Sequence, residues 1–247
     1  MPIDSRNKWF LRLAAEGAVI VVSILLAFAI DAWWADRQEE VEETRILSAL
    51  LADFNSTQES VRELRKYREA KIASISRLLE AAAGTLVLSP TQIDGLLGDL
   101  LDAGTVDFSS GALASLVEGG GLAQIQNQNL RQRLTSFTYL IDWTKDLEEP
   151  TRQRQNMHWN PFFWSNSYYP QIENAKGRIP GLEIENATPQ IPIRERRDHS
   201  SILDNDEFTG MLATELGSQS TLLRWYAKLE REIEQVTEII ESELSQR

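Results

Sequence analysis

The chain has 247 residues, no Cys, 42% hydrophobic residues and a formal charge of −12. This acidic balance argues against nucleic acid, which is held by clustered Lys and Arg, and against lying flat on anionic lipid. The missing Cys rules out disulfides, thiolate metal sites and a Cys nucleophile, while the length allows one domain with its own core.

Residues 13–34 read LAAEGAVIVVSILLAFAIDAWW, preceded by Arg6, Lys8 and Arg12. At about 1.5 Å per residue the run covers roughly 33 Å, enough for a bilayer core of about 30 Å. It is predicted to be a single membrane-spanning helix. Positive charge is retained on the cytoplasmic side, and Arg37 and Arg45 beyond the run are diluted by Asp36, Glu39, Glu40, Glu42 and Glu43. The expected layout is a cytoplasmic tail over 1–12, the span over 13–34 and an extracytoplasmic helical domain over 35–247. Trp33 and Trp34 suit the outer interface, Trp9 and Phe10 the inner one. Ala27-Phe28-Ala29 also fits a signal-peptidase site, but no helix breaker precedes it and helical sequence continues past it. Glu16 and Asp31 are the ionisable groups of the span. Each pairs with a partner subunit or, lying within about a turn of the interface, reaches headgroups and water. Ala14/Ala18 and Ser23/Ala27 permit close helix approach.

From Asp36 to about Ala83 there is neither Pro nor Gly. Leu47, Leu50, Phe54, Thr57, Val61 and Leu64 keep heptad spacing; the apolar stripe then steps by eleven from Val61 to Ile72 and resumes at Ile75 and Leu79. The pattern predicts one long helix, continuous with the span, with a stutter after Leu64. Ser89-Pro90-Thr91-Gln92 forms a capping box with Pro at the first helical position, opening a helix that ends near Gly104. A short apolar helix over 112–117 should stop at Gly119-Gly120-Gly121. Asn127 or Asn129 caps the next helix, with Leu130, Leu134, Phe137, Ile141 and Leu147 inward, and Pro150 kinks or ends it.

Residues 157–200 carry WNPFFWSNSYYP and then Pro180, Pro189 and Pro192, with little helical period. They are expected to form an irregular loop. Trp159, Phe162, Phe163, Trp164, Tyr168 and Tyr169 make it the best candidate binding surface, because aromatics anchor interfaces and stack on sugars. The competing reading has the loop plugging the bundle. A D-x-x-E start at Asp204–Glu207 opens a last helix whose heptad seam includes Leu222, Tyr226, Leu229, Ile233, Val236 and Ile240. Val61 and Leu64 of the first rod should pack against such a seam, from this chain or from another copy.

Three stretches resemble a family of uncharacterised bacterial single-pass membrane proteins: AFAIDAWWADRQEE, SSGALASLVEGGGLAQIQNQNLRQRL, and DNDEF before the last helix. Asp31 stands where that family usually has Asn. The resemblance implies a bacterial source and a membrane address, and brings no activity.

Catalytic signatures are weak. His158 and His199 form no ligand-spaced pair, and Asp204/Asp206/Glu207 lack the Gly and bidentate Glu of a calcium loop. The triple Gly is not followed by Lys-Ser/Thr, and no G-x-S-x-G occurs. No metal or cofactor is expected. The reading is an all-α protein with one anchor helix, a long rod and an antiparallel bundle. Its expected role is a non-enzymatic scaffold or accessory subunit of the bacterial inner membrane, with the bulk in the periplasm, acting by homo-oligomerisation or on another envelope protein. A ligand-binding module using 159–169 is the alternative, and an enzyme of unrecognised type the third.

Overall fold

The computed structural model describes residues 4–101, 111–165, 169–175 and 191–247, with backbone alone for 4–15. All described secondary structure is helical. The first helix, α1, runs without a break over Asp4–Ala82, 79 residues or roughly 119 Å at about 1.5 Å per residue. It is the one described helix long and apolar enough to cross a membrane, and its apolar window is uncovered by the rest of the chain. Ser23 Oγ donates to the Val19 carbonyl at 2.8 Å, so its hydroxyl is satisfied inside the helix. Trp9, Phe10 and Ala14 fall among the side chains outside this description.

Beyond α1 the chain turns at Gly84, whose φ of +71 is the left-handed conformation that glycine adopts without strain. Helix α2 (Pro90–Gly98) then starts on the expected capping box: Ser89 accepts from the Gln92 N–H, and Gln92 reaches back to the Ser89 N–H. Asp99, still right-handed, is the C-cap, and Leu100 and Leu101 follow in tighter turns; the expected end near Gly104 lies outside the described residues. Helix α3 (Gly111–Glu118) lies against the lower part of α1, where the Ala112 N–H donates to Asp53 at 2.6 Å. Gly120, with φ +69, closes α3 and leads to a short 3-10 turn over Gly121–Gln124. The Gln126 N–H then binds Glu43, and Asn127 caps α4 (Gln128–Arg154). Helix α4 runs parallel to α1. After Asn205 as cap, α7 (Asp206–Ser245) returns antiparallel to both, so that Arg247 pairs with Glu43 beside the foot of α1.

Pro150 sits inside α4 and does not end it. The helical path continues through a π-turn at Gln155–Trp159 into α5 (Asn160–Ser165). The expected loop over 157–200 is therefore helical in its first part, and α6 (Tyr169–Ala175) adds another turn. Residues 191–198 then run exposed and irregular, with a bend at 194–195.

Two cores result. The one nearer the uncovered apolar stretch of α1 joins Leu47, Leu50, Phe54, Val61 and Leu64 to the α4 seam (Leu130, Leu134, Phe137, Ile141) and to Leu222, Tyr226, Leu229, Ile233, Val236 and Ile240 of α7. Phe54 and Phe137 meet with ring centroids 4.8 Å apart. The far core gathers Ile75, Leu78, Ile93, Leu97, Trp159, Phe163, Ile172, Phe208 and Leu212. The expected stutter in α1 is absent. Buried positions continue from Leu64 to Arg68, Lys71, Ile75 and Leu78 in unbroken heptads, while Ile72 and Leu79 are only half-buried. The spacing persists and the residue type changes.

On the flank of the seam, Glu230 of α7 accepts from Arg62 at 3.1 Å and from Arg65. Burial pushes the Glu230 carboxyl up, but the bonds from Arg65 and Arg62 outweigh it and hold the group below its usual value. The stability this clasp contributes is complete above the ordinary Glu range near 4.5 and is lost as pH falls through the lower folded value. Partly exposed pairs contribute about 0.2–1 kcal/mol each. Glu230→Gln should therefore lower the melting temperature slightly at neutral pH, and the gap to the parent should close in acid. A gap that stays constant under acidification would contradict this.

Candidate functional site

The predicted aromatic surface is divided by the helical path that carries it. Trp159 and Phe163, four residues apart, fall on one face and are 2% and 0% exposed. Their rings stack at 5.8 Å, and Trp159 meets Phe208 edge-on at 6.0 Å. Phe162 is half-buried and stacks on Phe208 at 5.9 Å. These three rings plug the far core, which corrects the expectation that the cluster as a whole is a binding face. Trp164, on the opposite face, is 60% exposed and leans on half-buried Tyr169 at 6.1 Å. Tyr168 lies outside the described residues. Among the described residues, the polar groups between the rings are satisfied locally: Asn160 accepts from Gln155, and Ser165 donates to the Phe162 carbonyl.

The seam residues Val61, Leu64, Tyr226, Leu229, Ile233 and Val236 all pack within one chain. Glu16 and Asp31 are exposed on the bare part of α1, where Trp33 and Trp34 also stand free. Further up, Tyr139 and Trp143 are exposed on α4; Trp143 lies 6.2 Å from Trp225, whose Nε1 donates to Thr144 at 2.7 Å.

Between the two cores lies an arrangement that the apolar pattern conceals. The seams of all three long helices turn polar at the same level: Arg68 and Lys71 of α1, Thr144, Glu148, Thr151 and Gln155 of α4, Glu215 and Gln219 of α7. Arg68 is 1% exposed and donates through Nε (3.2 Å) and Nη2 (3.0 Å) to the Tyr226 hydroxyl, and through Nη1 (2.6 Å) to Gln219. The Tyr226 hydroxyl in turn donates to Glu148. Gln219 donates to Glu215 at 2.6 Å, and Lys71 and Arg154 flank that carboxylate at 3.7 and 3.6 Å. Burial pushes the Tyr226 hydroxyl far above its ordinary value; Arg68 opposes this and Glu148 adds to it. Tyr226 therefore stays protonated and relays one hydrogen bond from a cation to an anion. Three cations and two carboxylates balance one another here through hydrogen bonds and ion pairs, and the geometry supports position-keeping more directly than proton transfer.

A second buried centre holds the far end. Asp94 of α2 takes His199 Nδ1 at 2.5 Å, Gln171 at 2.6 Å and Arg196 at 3.2 Å. Gln171 also pairs with both backbone groups of Arg197, and Asn174 with both of Ile191. The segment 191–199 is thus strapped to α6 by side-chain amides that imitate a neighbouring strand. His158 is exposed on the π-turn, away from this centre. Among the described residues no group of three or more His, Asp or Glu is placed to hold a metal ion.

No protein-family model, curated protein or solved structure matches the chain.

Two substitutions separate the halves of the aromatic segment. Phe163→Ala should remove about 3–5 kcal/mol by opening the far core, whereas Trp164→Ala should stay within about 0.5 kcal/mol. Equal losses in thermal unfolding would contradict the division. In the polar layer, Tyr226→Phe strips Arg68 and Glu148 of their shared partner and should cost about 1–3 kcal/mol despite its near-identical shape. An unchanged melting temperature would show that the hydroxyl is dispensable.

Proposed function

We propose that the protein is a non-enzymatic, membrane-anchored scaffold or accessory subunit of the bacterial cell envelope. In this reading it spans the inner membrane once, with its N-terminus in the cytoplasm and its bulk in the periplasm. The observation that carries the reading is the continuity of α1. The helix that presents an uncovered apolar window is the same helix that supplies the bundle's seam, with no hinge between. From Trp34 to Ala82 the helix extends roughly 72 Å at about 1.5 Å per residue, so the far core would be held at a set height above the bilayer. The Arg6, Lys8 and Arg12 cluster supports the orientation, and the resemblance of the central run supports the bacterial address.

Because the α1 and α7 seams are occupied by one another, association with a second copy or another envelope protein would use surfaces outside them. Trp164 with Tyr169 at the far end and Tyr139 with Trp143 along α4 are the exposed aromatic pairs suited to it, since Trp and Tyr dominate binding hot spots. A ligand-binding role for the segment 159–169 is left with Trp164 and Tyr169 as its described exposed and half-exposed rings.

Crosslinking in intact cells tests this role. The full chain should give adducts of discrete mass, and Trp164→Ala or Trp143→Ala should remove them without lowering the melting temperature. A protein that remains monomeric and uncrosslinked at native abundance would contradict the scaffold reading. A cytoplasm-only reporter fused to the C-terminus should be silent; activity there would overturn the orientation.

A further inference from the structure

We infer that the buried polar layer is a register lock: it fixes α7 at one position along α1 and excludes the alignments one heptad away. The two seams are long and repetitive. On α1 the buried heptad positions run Leu47, Leu50, Phe54, Thr57, Val61, Leu64, Arg68, Lys71, Ile75, Leu78, with Glu43 below them and Ser74 buried beside Ile75; on α7 they run Phe208, Leu212, Glu215, Gln219, Leu222, Tyr226, Leu229, Ile233, Val236, Ile240. Sliding one helix past the other by seven residues, about 10.5 Å, returns apolar residues opposite apolar residues at nearly every level. Hydrophobic burial is non-directional and discriminates poorly between such alignments.

The polar level discriminates strongly. Only in the observed register does Arg68 meet Tyr226 and Gln219, and Lys71 meet Glu215. Slid one way, Arg68 comes level with Tyr226 and Ile233 and Lys71 with Leu222; slid the other way, Arg68 comes level with Leu212 and Gln219 and Lys71 with Phe208. Either alignment leaves Arg68 only one of its two partners, sets Lys71 against an apolar side chain and brings Glu215 level with Leu64 or Leu78, at a cost far above that of a lost methylene contact. From α4, Glu148 and Arg154 complete the same level, so the lock fixes α4 as well. Each charge is paired, so the layer is tolerated; apolar residues of similar volume would bury as well or better. Its distinctive contribution is specificity, the role that a polar residue in a coiled-coil seam serves.

The chain has no Cys, so introduced pairs report register cleanly. Arg62→Cys with Glu230→Cys marks the observed alignment, since these residues touch across the helices at 3.1 Å. Arg62→Cys with Leu223→Cys or with Thr237→Cys marks the two slipped ones. A short bismaleimide is applied to the full chain in detergent micelles. With the layer intact, only the Arg62/Glu230 pair should crosslink efficiently. In a background carrying Arg68→Leu, Lys71→Leu, Glu148→Leu, Glu215→Leu, Gln219→Leu and Tyr226→Phe, the slipped products should rise about tenfold while the helical signal and melting temperature are kept or raised. A milder background, with Arg68→Leu, Glu148→Leu and Tyr226→Phe alone, should show a smaller rise. The Glu43–Arg247 pair is retained throughout. Exclusive crosslinking in the observed register in both backgrounds would overturn the inference. Loss of folded structure in both would do the same, because the layer would then be supplying stability rather than alignment.

Discussion

The structure depends on one constraint: α1 and α7 must keep their heptad faces together from Glu43 to Leu78, through a level at which both faces carry charge. Everything beyond the uncovered apolar stretch of α1 is hung on that pairing. Helix α4 leans into the groove it makes, α3 covers it near Asp53, and α2 covers its far end, where Ser74 of α1 donates to Asp99 at 2.6 Å. A lone α1 would expose an apolar stripe too narrow to be stable in water, and α7 has the same weakness. Each is helical along its length because the other is there.

The far end follows different rules. There the sequence trades long seams for short helices held by specific polar groups. The π-turn at Gln155–Trp159 inserts one residue, so that the buried positions of α4 step from Gln155 to Trp159 by four where the heptad would take three. Without that insertion the exposed His158 would occupy the seam position and Trp159 would turn away from Phe208. The Asp94 centre then closes the structure by drawing α2, α6 and the 191–199 segment to one carboxylate. Such a cap is built from contacts that fail together, since Gln171 serves both the carboxylate and the Arg197 backbone.

Much of this was legible in the residues. The long α1, the Ser89 capping box, the short helix before the triple Gly, the Asn127 cap and the α7 seam all carry local signals that tertiary packing did not override. Three features were hidden, each for a physical reason. Arg68 and Lys71 keep the heptad, but a search for apolar residues passes over them, and the stripe then borrows Ile72 and looks broken. Signs of the layer were present in the spacing alone: in both α1 and α7, polar residues fall where the count of three and four demands a buried side chain. The aromatic segment looked irregular because Pro161 and Pro170 suggest breaks, whereas Pro170 is the second residue of α6, where the missing N–H costs nothing, and Pro161 follows directly on the π-turn within a helical path that continues past it. The Asp94–His199 contact joins residues 105 apart, and no local pattern in a single sequence announces such a pair.

The unbroken heptad is the claim on which the rest stands, and a cysteine-accessibility scan tests it directly. Single Cys residues placed in turn along α1 from position 58 to 82 would be labelled with a small maleimide on the full chain in micelles. Slow labelling is expected at 61, 64, 68, 71, 75 and 78, with a seven-residue period through the charged level, and additionally at the buried position 74. Fast labelling at 68 and 71, with protection shifted to 72 and 79, would show that the seam breaks after Leu64 and that the polar layer does not join the helices.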